Sequence, residues 1–390
     1  MNTKMNRDFT YDVIVVGAGI EGSATAYQLA KKGKSTLLLE QFPIPHNRGS
    51  SHGQTRITRK AYGVYKHYAV MMEEAYNSWN LLEKETNTTL YYETGMLCAG
   101  KRDNTFINGT IEFSKTNGIP VEVTDEEGVG KIYPTMTFPK NYVFVLDKCA
   151  GILLADKGLR AFQDIFRKNG GILKDNEVVT NITPGSVISI QTSKSQYTCK
   201  SIILTVGPWA KQLLPTLGIH IPLKPIRISV CYWKEKNPGE YGLGKFPTFY
   251  ESEAVDEKYS VYGFPSMEYP GYVKMCLGWG PDVDPDNRDF VNEEWVISRI
   301  KKYVTDHFPN LYSEPSIVEP CIYTMVPDED FVLDKHPKWS NVIIGAGFSG
   351  HGFKLAPVVG KLLAELALGE TLSYDISPCR LNRFIFQSKM

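Results

Sequence analysis

The sequence places two arginines three residues apart, Arg56 and Arg59, in a segment that also carries His52 and Thr55. A guanidinium group binds a carboxylate through two parallel hydrogen bonds, so such a pair can hold an acidic ligand or keep positive charge beside a cofactor. The alternative is that both arginines lie at the surface and contact acidic side chains of the protein itself. The residue types alone leave both interpretations open.

Three further residues could take part in chemistry. Lys354 follows a glycine-rich segment, and Lys274 lies among alternating apolar residues, a pattern typical of a strand. A lysine in a strand usually faces solvent, which is the alternative at Lys274. Cys321, considered alone, is typical of a small buried apolar residue.

A strand–helix–strand unit near the N-terminus is the element that must position such groups. An apolar run ends at Gly17, Gly19 and Gly22, spaced G-x-G-x-x-G, and a helical pattern and a second apolar run then lead to Glu40. The glycines allow a tight turn and the approach of a pyrophosphate, and the helix N-terminus offers N–H groups to the anion. Glu40, placed to accept hydrogen bonds from a ribose, favours FAD or NAD over NADP. A plain unit with a glycine-rich turn is the alternative.

A second glycine-rich turn, residues 345–352 with Gly347 and Gly350, again joins an apolar run to a predicted helix, residues 353–368. Two such turns suit either two ligands or one extended ligand. For FAD, the second turn would direct its helix dipole at the flavin and stabilise the negative charge of the reduced cofactor. A simple helix start is the alternative.

The composition is that of an ordinary globular protein with room for two domains. The 390 residues include 43 Lys+Arg and 43 Asp+Glu, so no nucleic-acid or polyanion partner is predicted. We also expect no signal peptide and no membrane span, because no apolar run approaches roughly 20 residues. The seven cysteines contain no C-x-x-C pair, which argues for a reducing compartment and against a disulfide framework or a metal site.

The chain ends in Ser388, Lys389 and Met390, which is close to the Ser-Lys-Leu peroxisomal address. We therefore expect a peroxisomal protein that engages the import receptor through this tripeptide. A chance tripeptide in a cytoplasmic protein is the alternative.

Local patterns predict a mixed series of elements between the two turns. Helices are predicted over 70–85, 107–117, 158–169 and 293–307. Strands are predicted over 90–99, 120–124, 174–182, 187–192, 196–199, 201–206, 223–232, 248–250, 259–264, 272–279 and 342–344. The segment 41–63 shows no clear strand or helix period, and the strands after 222 predict a mostly antiparallel sheet in a second, inserted domain.

Four segments form a specific set: GSSHGQTRITRKAYG at 49–63, YGFPSMEYPGYVK at 262–274, CIYTMVPDEDFVLDKHP at 321–337 and GAGFSGHGFK at 345–354. In content and order they resemble the monomeric sarcosine oxidase and L-pipecolate oxidase family. The resemblance runs from the first strand to the last helix. It implies an α/β fold with a Rossmann-like FAD-binding domain, residues 1–90, 150–215 and 322–390. The mostly antiparallel substrate domain would comprise residues 91–149 and 216–321.

The same resemblance implies roles for the basic residues and the cysteine. FAD would be covalent, through a thioether from Cys321 to the flavin 8α-methyl group. The substrate carboxylate would be held by Arg59 and Lys354, while Arg56 and His52 would pack against the flavin ring.

Further site residues follow from the resemblance. Lys274 matches a lysine that contacts flavin N5 through water and activates O2, which is reasonable because a fixed cation stabilises developing negative charge. Tyr262 and Tyr323 match the aromatic lining of the substrate cavity. Thr55 and Val179 are further predicted cofactor contacts, together with Arg56 and Lys354.

The implied reaction is oxidation of a secondary amino acid by a monomeric enzyme, with O2 reduced to H2O2. Sarcosine would give glycine and formaldehyde, and L-pipecolate is the alternative substrate. Gly278 replaces a histidine of the bacterial sarcosine enzymes, which should relax the pocket enough to permit a ring. An NAD-linked dehydrogenase would leave the second glycine turn and the Cys321 segment without a role. A non-catalytic flavoprotein would be expected to have lost Arg59, Lys354 or Lys274.

Overall fold

A computed structural model of the protein describes residues 10–63 and 65–384. The strands, numbered in chain order, are β1 Thr10–Val16, β2 Thr36–Leu39, β3 Thr55–Thr58, β4 Tyr91–Glu93, β5 Met96–Lys101, β6 Val121–Asp125, β7 Tyr142–Asp147, β8 Gly151–Leu154, β9 Ile172–Lys174, β10 Val179–Thr183, β11 Ile188–Thr192, β12 Gln196–Leu204, β13 Lys224–Glu235, β14 Thr248–Val255, β15 Tyr259–Tyr269, β16 Tyr272–Leu277, β17 Leu311–Met325, β18 Val332–Lys335 and β19 Val342–Ala346. The helices are α1 Ile20–Lys31, α2 Lys66–Thr86, α3 Thr105–Thr116, α4 Glu126–Ile132, α5 Ala155–Lys168, α6 Ala210–Thr216, α7 Glu294–His307 and α8 Gly352–Leu368. Short 3-10 helices lie at Gly207–Trp209, Pro285–Asn287, Ser377–Cys379 and Leu381–Phe384.

The first sheet is built around β1. Its strand order is β10-β11-β12-β1-β2-β9, and β19 pairs with β12 and β18. β1 is parallel to both β12 and β2, and β19 is parallel to β12. This is the Rossmann-like arrangement that the N-terminal unit predicts, with the return strand β12 beside β1.

Alternation along β1 explains why both faces of this sheet are covered. Val13 and Val15 belong to one apolar core and Ile14 and Val16 to another, because successive side chains of a strand point to opposite faces. The first core includes residues of α1, α2 and α8. At Gly360 of α8, a Cβ atom would lie 2.6 Å from the backbone of α1, so α1 and α8 can approach closely only with glycine there.

The second sheet has the order β17-β13-β16-β15-β14-β5-β7-β6. Its pairs are antiparallel except for β14 with β5, so the predicted mostly antiparallel sheet is confirmed. A small third sheet, β3-β8-β4, holds the segment that carries Arg56. Within the described part of the chain, no helix is long and apolar enough to cross a membrane.

Several element predictions were wrong in detail. Residues 41–63 were expected to lack a strand, but β3 forms at 55–58 because it pairs with β8. Residues 196–199 and 201–206 form one strand, β12, and residues 174–182 are split between β9 and β10. The fifteen-residue β17 was missed, because its prolines and acidic residues hide the pattern that its long pairing with β13 stabilises.

The proposed division into domains stays a prediction. Strands of the first sheet fall within 1–90, 150–215 and 322–390. Two strands cross the expected domain boundaries. β4 of the expected substrate domain pairs with β8 of the expected FAD-binding domain, and β17 continues past the expected boundary after residue 321.

Candidate active site

A cavity of about 1200 Å³ runs along the carboxyl end of β1 and between the two glycine turns. This volume exceeds the roughly 300–1,000 Å³ of a typical small-molecule pocket, as a larger cofactor requires. The predicted site residues that line it are Gly17, Gly19, Glu40, His52, Arg56, Val179, Tyr323, Gly347 and Gly350. The predicted residues that lie outside its lining are Gly22, Thr55, Arg59, Tyr262, Lys274, Cys321 and Lys354.

The first glycine turn is built for close backbone approach. Gly17 has a φ of +98°, and a Cβ atom there would lie 2.4 Å from the carbonyl oxygen of Thr205. A Cβ atom at Gly22 would lie 1.9 Å from the carbonyl oxygen of Gly17. Any larger residue at either position would therefore push the turn away from α1 and β12.

Glu40 fixes this turn from the end of β2. Its Oε2 accepts a hydrogen bond from the Ala18 N–H at 2.9 Å, and its Oε1 accepts one from the Phe42 N–H at 3.1 Å. A carboxylate has about four acceptor sites, so capacity for a ribose hydroxyl remains. α1 begins after Gly19, which has no side chain to cap it. Turn, helix end and carboxylate thus suit the adenosine and pyrophosphate part of FAD.

The second turn lies where β19 meets α8. Gly347 and Gly350 adopt φ values of +63° and +85°, which favour glycine. A Cβ atom at Gly350 would lie 3.3 Å from the ring of Tyr323. His351 follows and lies 3.2 Å from the hydroxyl of Tyr62, and burial holds its pKa well below the ordinary value.

Arg56 forms hydrogen bonds within the segment 50–55 that precedes it. Its guanidinium donates hydrogen bonds to the carbonyl oxygens of Ser50, His52 and Thr55, at 2.8, 2.6 and 2.7 Å. Arg56 and Arg59 therefore do not form the joint carboxylate fork that their spacing suggested. The charge near the cavity nevertheless remains, because these partners are neutral.

His52 is a neutral polar group inside the site. Burial, helped by the charges of Arg56, Arg288 and Lys274, lowers its pKa to about 3. Its Nε2 is buried and has no hydrogen-bond partner in the described structure. An unpaired buried polar atom calls for an explanation, and a bound ligand supplies one.

Arg59 occupies a cage of aromatic rings. Its guanidinium carbon lies 4.8 Å from the centre of the Tyr62 ring, 4.9 Å from Tyr250 and 5.3 Å from Phe106. Burial opposes the charge, but the nearby phenol and thiol groups leave the pKa of Arg59 above its ordinary value. The Arg59 side chain is hydrogen-bonded to Cys98 and its charge acts on the buried Asp147, while its Nε has no partner among the residues described.

Lys354 is the second buried cation of this region. Its Nζ lies 5.8 Å from the centre of the Tyr62 ring and 3.5 Å from the carbonyl oxygen of Gly350. Burial, and then the charges of Arg59 and Arg56, lower its pKa to about 7. Neither of these two buried cations forms an ion pair within the described part of the chain, so both can pair with a carboxylate from a ligand.

Lys274 is buried, so its position in a strand does not turn it to solvent. Its Nζ lies 3.0 Å from Glu268 Oε1 and 3.2 Å from Thr55 Oγ1, with side chains of Lys274 and Glu268 only 6% and 4% exposed. Thr55 also donates to Glu268. Burial opposes the ionisation of Glu268, but Lys274 and the hydroxyls of Thr55 and Tyr232 lower its pKa. Thr55 thus contributes to this ion pair, and its role as a cofactor contact stays a prediction.

Cys321 lies on β17 opposite Ile228 of β13 and is buried with a free thiol. Its neighbours Pro320 and Ile322 line the cavity, although Cys321 itself does not. Burial raises the pKa of Tyr323 to about 12, so it stays a neutral phenol.

Tyr262 and Tyr323 are neighbours. Both are partly buried, and their hydroxyl groups are hydrogen-bonded to each other. Tyr262 packs edge-on against Phe264. The pair forms an aromatic wall beside Gly350.

Sequence reasoning missed several residues that build the site. Tyr62, Phe106 and Tyr250 form the Arg59 cage but lie on separate elements, so no local pattern joins them. Glu268 did carry a signal. It lies just before the Pro270–Gly271 turn, and Lys274 lies just after it, so a β-hairpin brings the opposite charges together.

Comparison with known proteins places this geometry in a family. The model of the family described as FAD dependent oxidoreductase matches residues 12–366. A peroxisomal sarcosine oxidase of Mus musculus is 46% identical over 383 residues, which cover 97% of each chain. A monomeric sarcosine oxidase of Arthrobacter sp. is 36% identical over 384 residues, covering 97% of this chain and 98% of the relative.

Solved structures agree with the fold. NikD, described as an unusual amino acid oxidase essential for nikkomycin biosynthesis, superposes in its open form with a TM-score of 0.84. It is 23% identical, and the superposition covers 95% of this chain and 97% of NikD. The chain belongs to the family of FAD dependent oxidoreductases that includes the peroxisomal and monomeric sarcosine oxidases.

Proposed function

We propose that this protein is an FAD-dependent oxidase of secondary amino acids, which converts sarcosine to glycine and formaldehyde while reducing O2 to H2O2. The observation that carries the proposal is the pair of buried cations, Arg59 and Lys354, neither of which forms an ion pair among the described residues. The full-length similarity to sarcosine oxidases of mouse and Arthrobacter supports the same reaction.

The substrate carboxylate would bind at Arg59 and Lys354. The aromatic cage holds the Arg59 guanidinium in one place, so little side-chain freedom is lost on binding. A bound carboxylate would also favour the charged form of Lys354, whose pKa is lowered to about 7 in the free protein. Binding and protonation of Lys354 would therefore reinforce each other.

The residues around the cavity fit FAD. When bound, FAD accepts two electrons from the substrate C–H bond and passes them to O2. Gly17, Gly22 and Glu40 would hold the adenosine and pyrophosphate end. His52 stays neutral beside the flavin end, and Arg56 keeps the loop 50–55 in position through its carbonyl contacts.

Cys321 is the proposed covalent anchor of the flavin. Its position on β17, between Pro320 and Ile322 of the cavity wall, supports this role. Lys274 is the proposed cation of the oxygen site. Its buried charge would stabilise the negative charge that develops on O2.

The carboxylate site also bears on substrate choice. Gly278, which replaces the histidine of bacterial enzymes, packs on Ser260, since a Cβ atom there would lie 2.2 Å from Ser260 Oγ. Ser260 in turn is hydrogen-bonded to Tyr250 of the Arg59 cage. Ser260 therefore occupies the space beside Gly278, and the support for L-pipecolate as a second candidate substrate is the resemblance of the segment 262–274 to the pipecolate oxidases.

We further propose that the protein is a peroxisomal monomer. The peroxisomal sarcosine oxidases of mouse and human are 46% and 45% identical to it. The candidate import tripeptide Ser388-Lys389-Met390 lies outside the described residues.

A peroxide assay of the purified protein with sarcosine and L-pipecolate side by side tests the proposal. Stoichiometric H2O2, with formaldehyde formed only from sarcosine, is the expected result. Peroxide with L-pipecolate alone would move the assignment to the second candidate. Nicotinamide reduction without peroxide, or no turnover of either amine, would refute the oxidase assignment.

A further inference from the structure

A continuous chain of hydrogen bonds leads from Lys274 toward the surface of the second sheet. Lys274 Nζ donates to Glu268 Oε1 at 3.0 Å, and the Tyr232 hydroxyl lies 2.5 Å from Glu268 Oε2 and 3.2 Å from Glu319 Oε2. The Tyr269 hydroxyl then donates to Glu319 Oε1 at 2.5 Å. Phenols and carboxylates alternate along the whole chain.

Proton counting shows that this chain has one hydrogen too few if both acids are ionised. The Tyr232 hydroxyl has a single hydrogen but lies within hydrogen-bond distance of two carboxylate oxygens. Tyr269 uses its own hydrogen on the other oxygen of Glu319. Each contact has a hydrogen of its own only when one additional proton is held between the two acids, on the Tyr232–Glu319 side because Lys274 and Thr55 already donate to Glu268.

Burial gives the chain a direction. The side chains of Lys274 and Glu268 are 6% and 4% exposed, and Tyr232 is 1% exposed. Glu319 and Tyr269 at the other end are partly exposed. The inner end is therefore dry and the outer end can exchange protons with water.

The proposed reaction needs such a path. Two electrons reduce O2 to H2O2, which requires two protons, and an anionic reduced flavin carries only one of them. We propose that the second proton reaches the oxygen site through Tyr269, Glu319, Tyr232 and Glu268 to Lys274. This inference rests on the proposed function of Lys274, and it adds a proton relay that ends at that residue.

The competing explanation is purely structural. Glu268 could serve only to hold Lys274 in place, with Tyr232 and Glu319 as packing around a buried ion pair. In that case both carboxylates are ionised and the single hydrogen of Tyr232 is divided between them. The two explanations differ in the number of protons and in the effect of losing the Tyr232 hydroxyl.

Infrared difference spectroscopy of the resting holoenzyme in H2O and D2O tests whether the additional proton between Glu268 and Glu319 is present. The wild-type spectrum minus that of Glu319→Gln, or minus that of Glu268→Gln, should contain a protonated-carboxyl band that shifts in D2O. Only ionised-carboxylate bands in both differences would overturn the shared proton, and with it the relay. This measurement does not depend on turnover.

Reoxidation kinetics test the path. The flavin is reduced by light under anaerobic conditions, without any amine, and then mixed with O2. Tyr232→Phe keeps the ring but removes the hydroxyl, so reoxidation should slow by about tenfold, with a solvent deuterium effect larger than in wild type. Glu319→Gln should act in the same direction. Reoxidation at the wild-type rate in both variants would refute the relay.

A matched control separates this effect from general damage. Tyr303 donates to Glu251 in the same half of the chain, away from the cavity, so Tyr303→Phe should leave the reoxidation rate unchanged. Failure of the proposed function would look different. If the protein is not an oxidase, wild type itself will reoxidise slowly, and the infrared measurement alone will then decide whether the proton is shared.

Discussion

Lys354 and Arg59 are two buried cations that lie against the same ring, that of Tyr62, at 5.8 and 4.8 Å from its centre. Burial, and then the charge of Arg59, lower the pKa of Lys354 to about 7. Like charges brought together in a buried place destabilise the ligand-free protein and favour an anionic ligand. The first two predictions follow from this pair.

Arg59→Ala should raise the KM for sarcosine steeply. Loss of a buried, charge-assisted contact to a carboxylate costs about 2–5 kcal/mol, so KM should rise by at least an order of magnitude. Steady-state kinetics measure the effect. Arg299→Ala, which breaks an exposed pair with Asp256, is the control and should leave KM unchanged. An unaltered KM in Arg59→Ala would remove it from the carboxylate site.

Lys354→Met should stabilise the ligand-free protein, most strongly at low pH. The pKa of Lys354 is about 7 in the folded protein and 10.5 in its ordinary range, so the unfolded chain binds an extra proton between these values. Wild-type stability therefore gains from rising pH across that window, and the advantage of the variant should shrink. Thermal unfolding at several pH values measures this. Lys361→Met, on the same helix but paired with Glu74, should show no such trend.

Cys321→Ala should release the flavin on denaturation. Acid precipitation of wild type should give a yellow pellet, whereas the variant should leave the colour in the supernatant. Cys276→Ala, at another buried cysteine of the same sheet, should keep the colour in the pellet. A colourless wild-type pellet would mean that the flavin is not covalent.

Lys274→Met should separate the two half-reactions. Reduction of the flavin by substrate should persist, and reoxidation by O2 should slow by roughly 100-fold, since a fixed charge beside the developing anion is lost. Lys274→Arg should recover part of the rate. Stopped-flow absorbance measures both steps, and reoxidation at the wild-type rate would exclude Lys274 from the oxygen site.

Gly22→Ala should abolish flavin binding. The added Cβ would lie 1.9 Å from the carbonyl oxygen of Gly17, so the turn must open. The absorbance ratio of flavin to protein measures the cofactor content. Gly130→Ala, where nothing lies within 4 Å of the added atom, should retain full flavin. Normal flavin content in Gly22→Ala would show that the turn tolerates displacement.

The sequence predicts the parts of this protein that depend on neighbouring residues in the chain. Local patterns predicted the glycine turn at Gly17 and the helix that contains Trp79. They also predicted the strand after residue 200, which lies beside β1 as part of β12. By contrast, β3 and β17 are strands because of distant partners, β8 and β13, which no local period reveals.

The candidate site shows the same limit. Arg59 was identified as a basic residue, but its cage of Tyr62, Phe106 and Tyr250 comes from three distant segments. The spacing of Arg56 and Arg59 suggested a shared fork, whereas pairing of β3 leaves Arg56 bonded to its own loop. Side-chain direction was decided by sheet pairing rather than by spacing.

β17 has a consequence for how this protein can diversify. The candidate anchor Cys321, the aromatic Tyr323 and the relay acid Glu319 occupy alternate positions of one strand. A change that shifts this strand to admit a larger substrate would disturb all three at once. Variation in substrate range should therefore accumulate on a separate element, such as β15 at Tyr262, which forms the aromatic wall with Tyr323. Laboratory evolution toward bulkier amines would be expected to spare β17 and to change Tyr262 first.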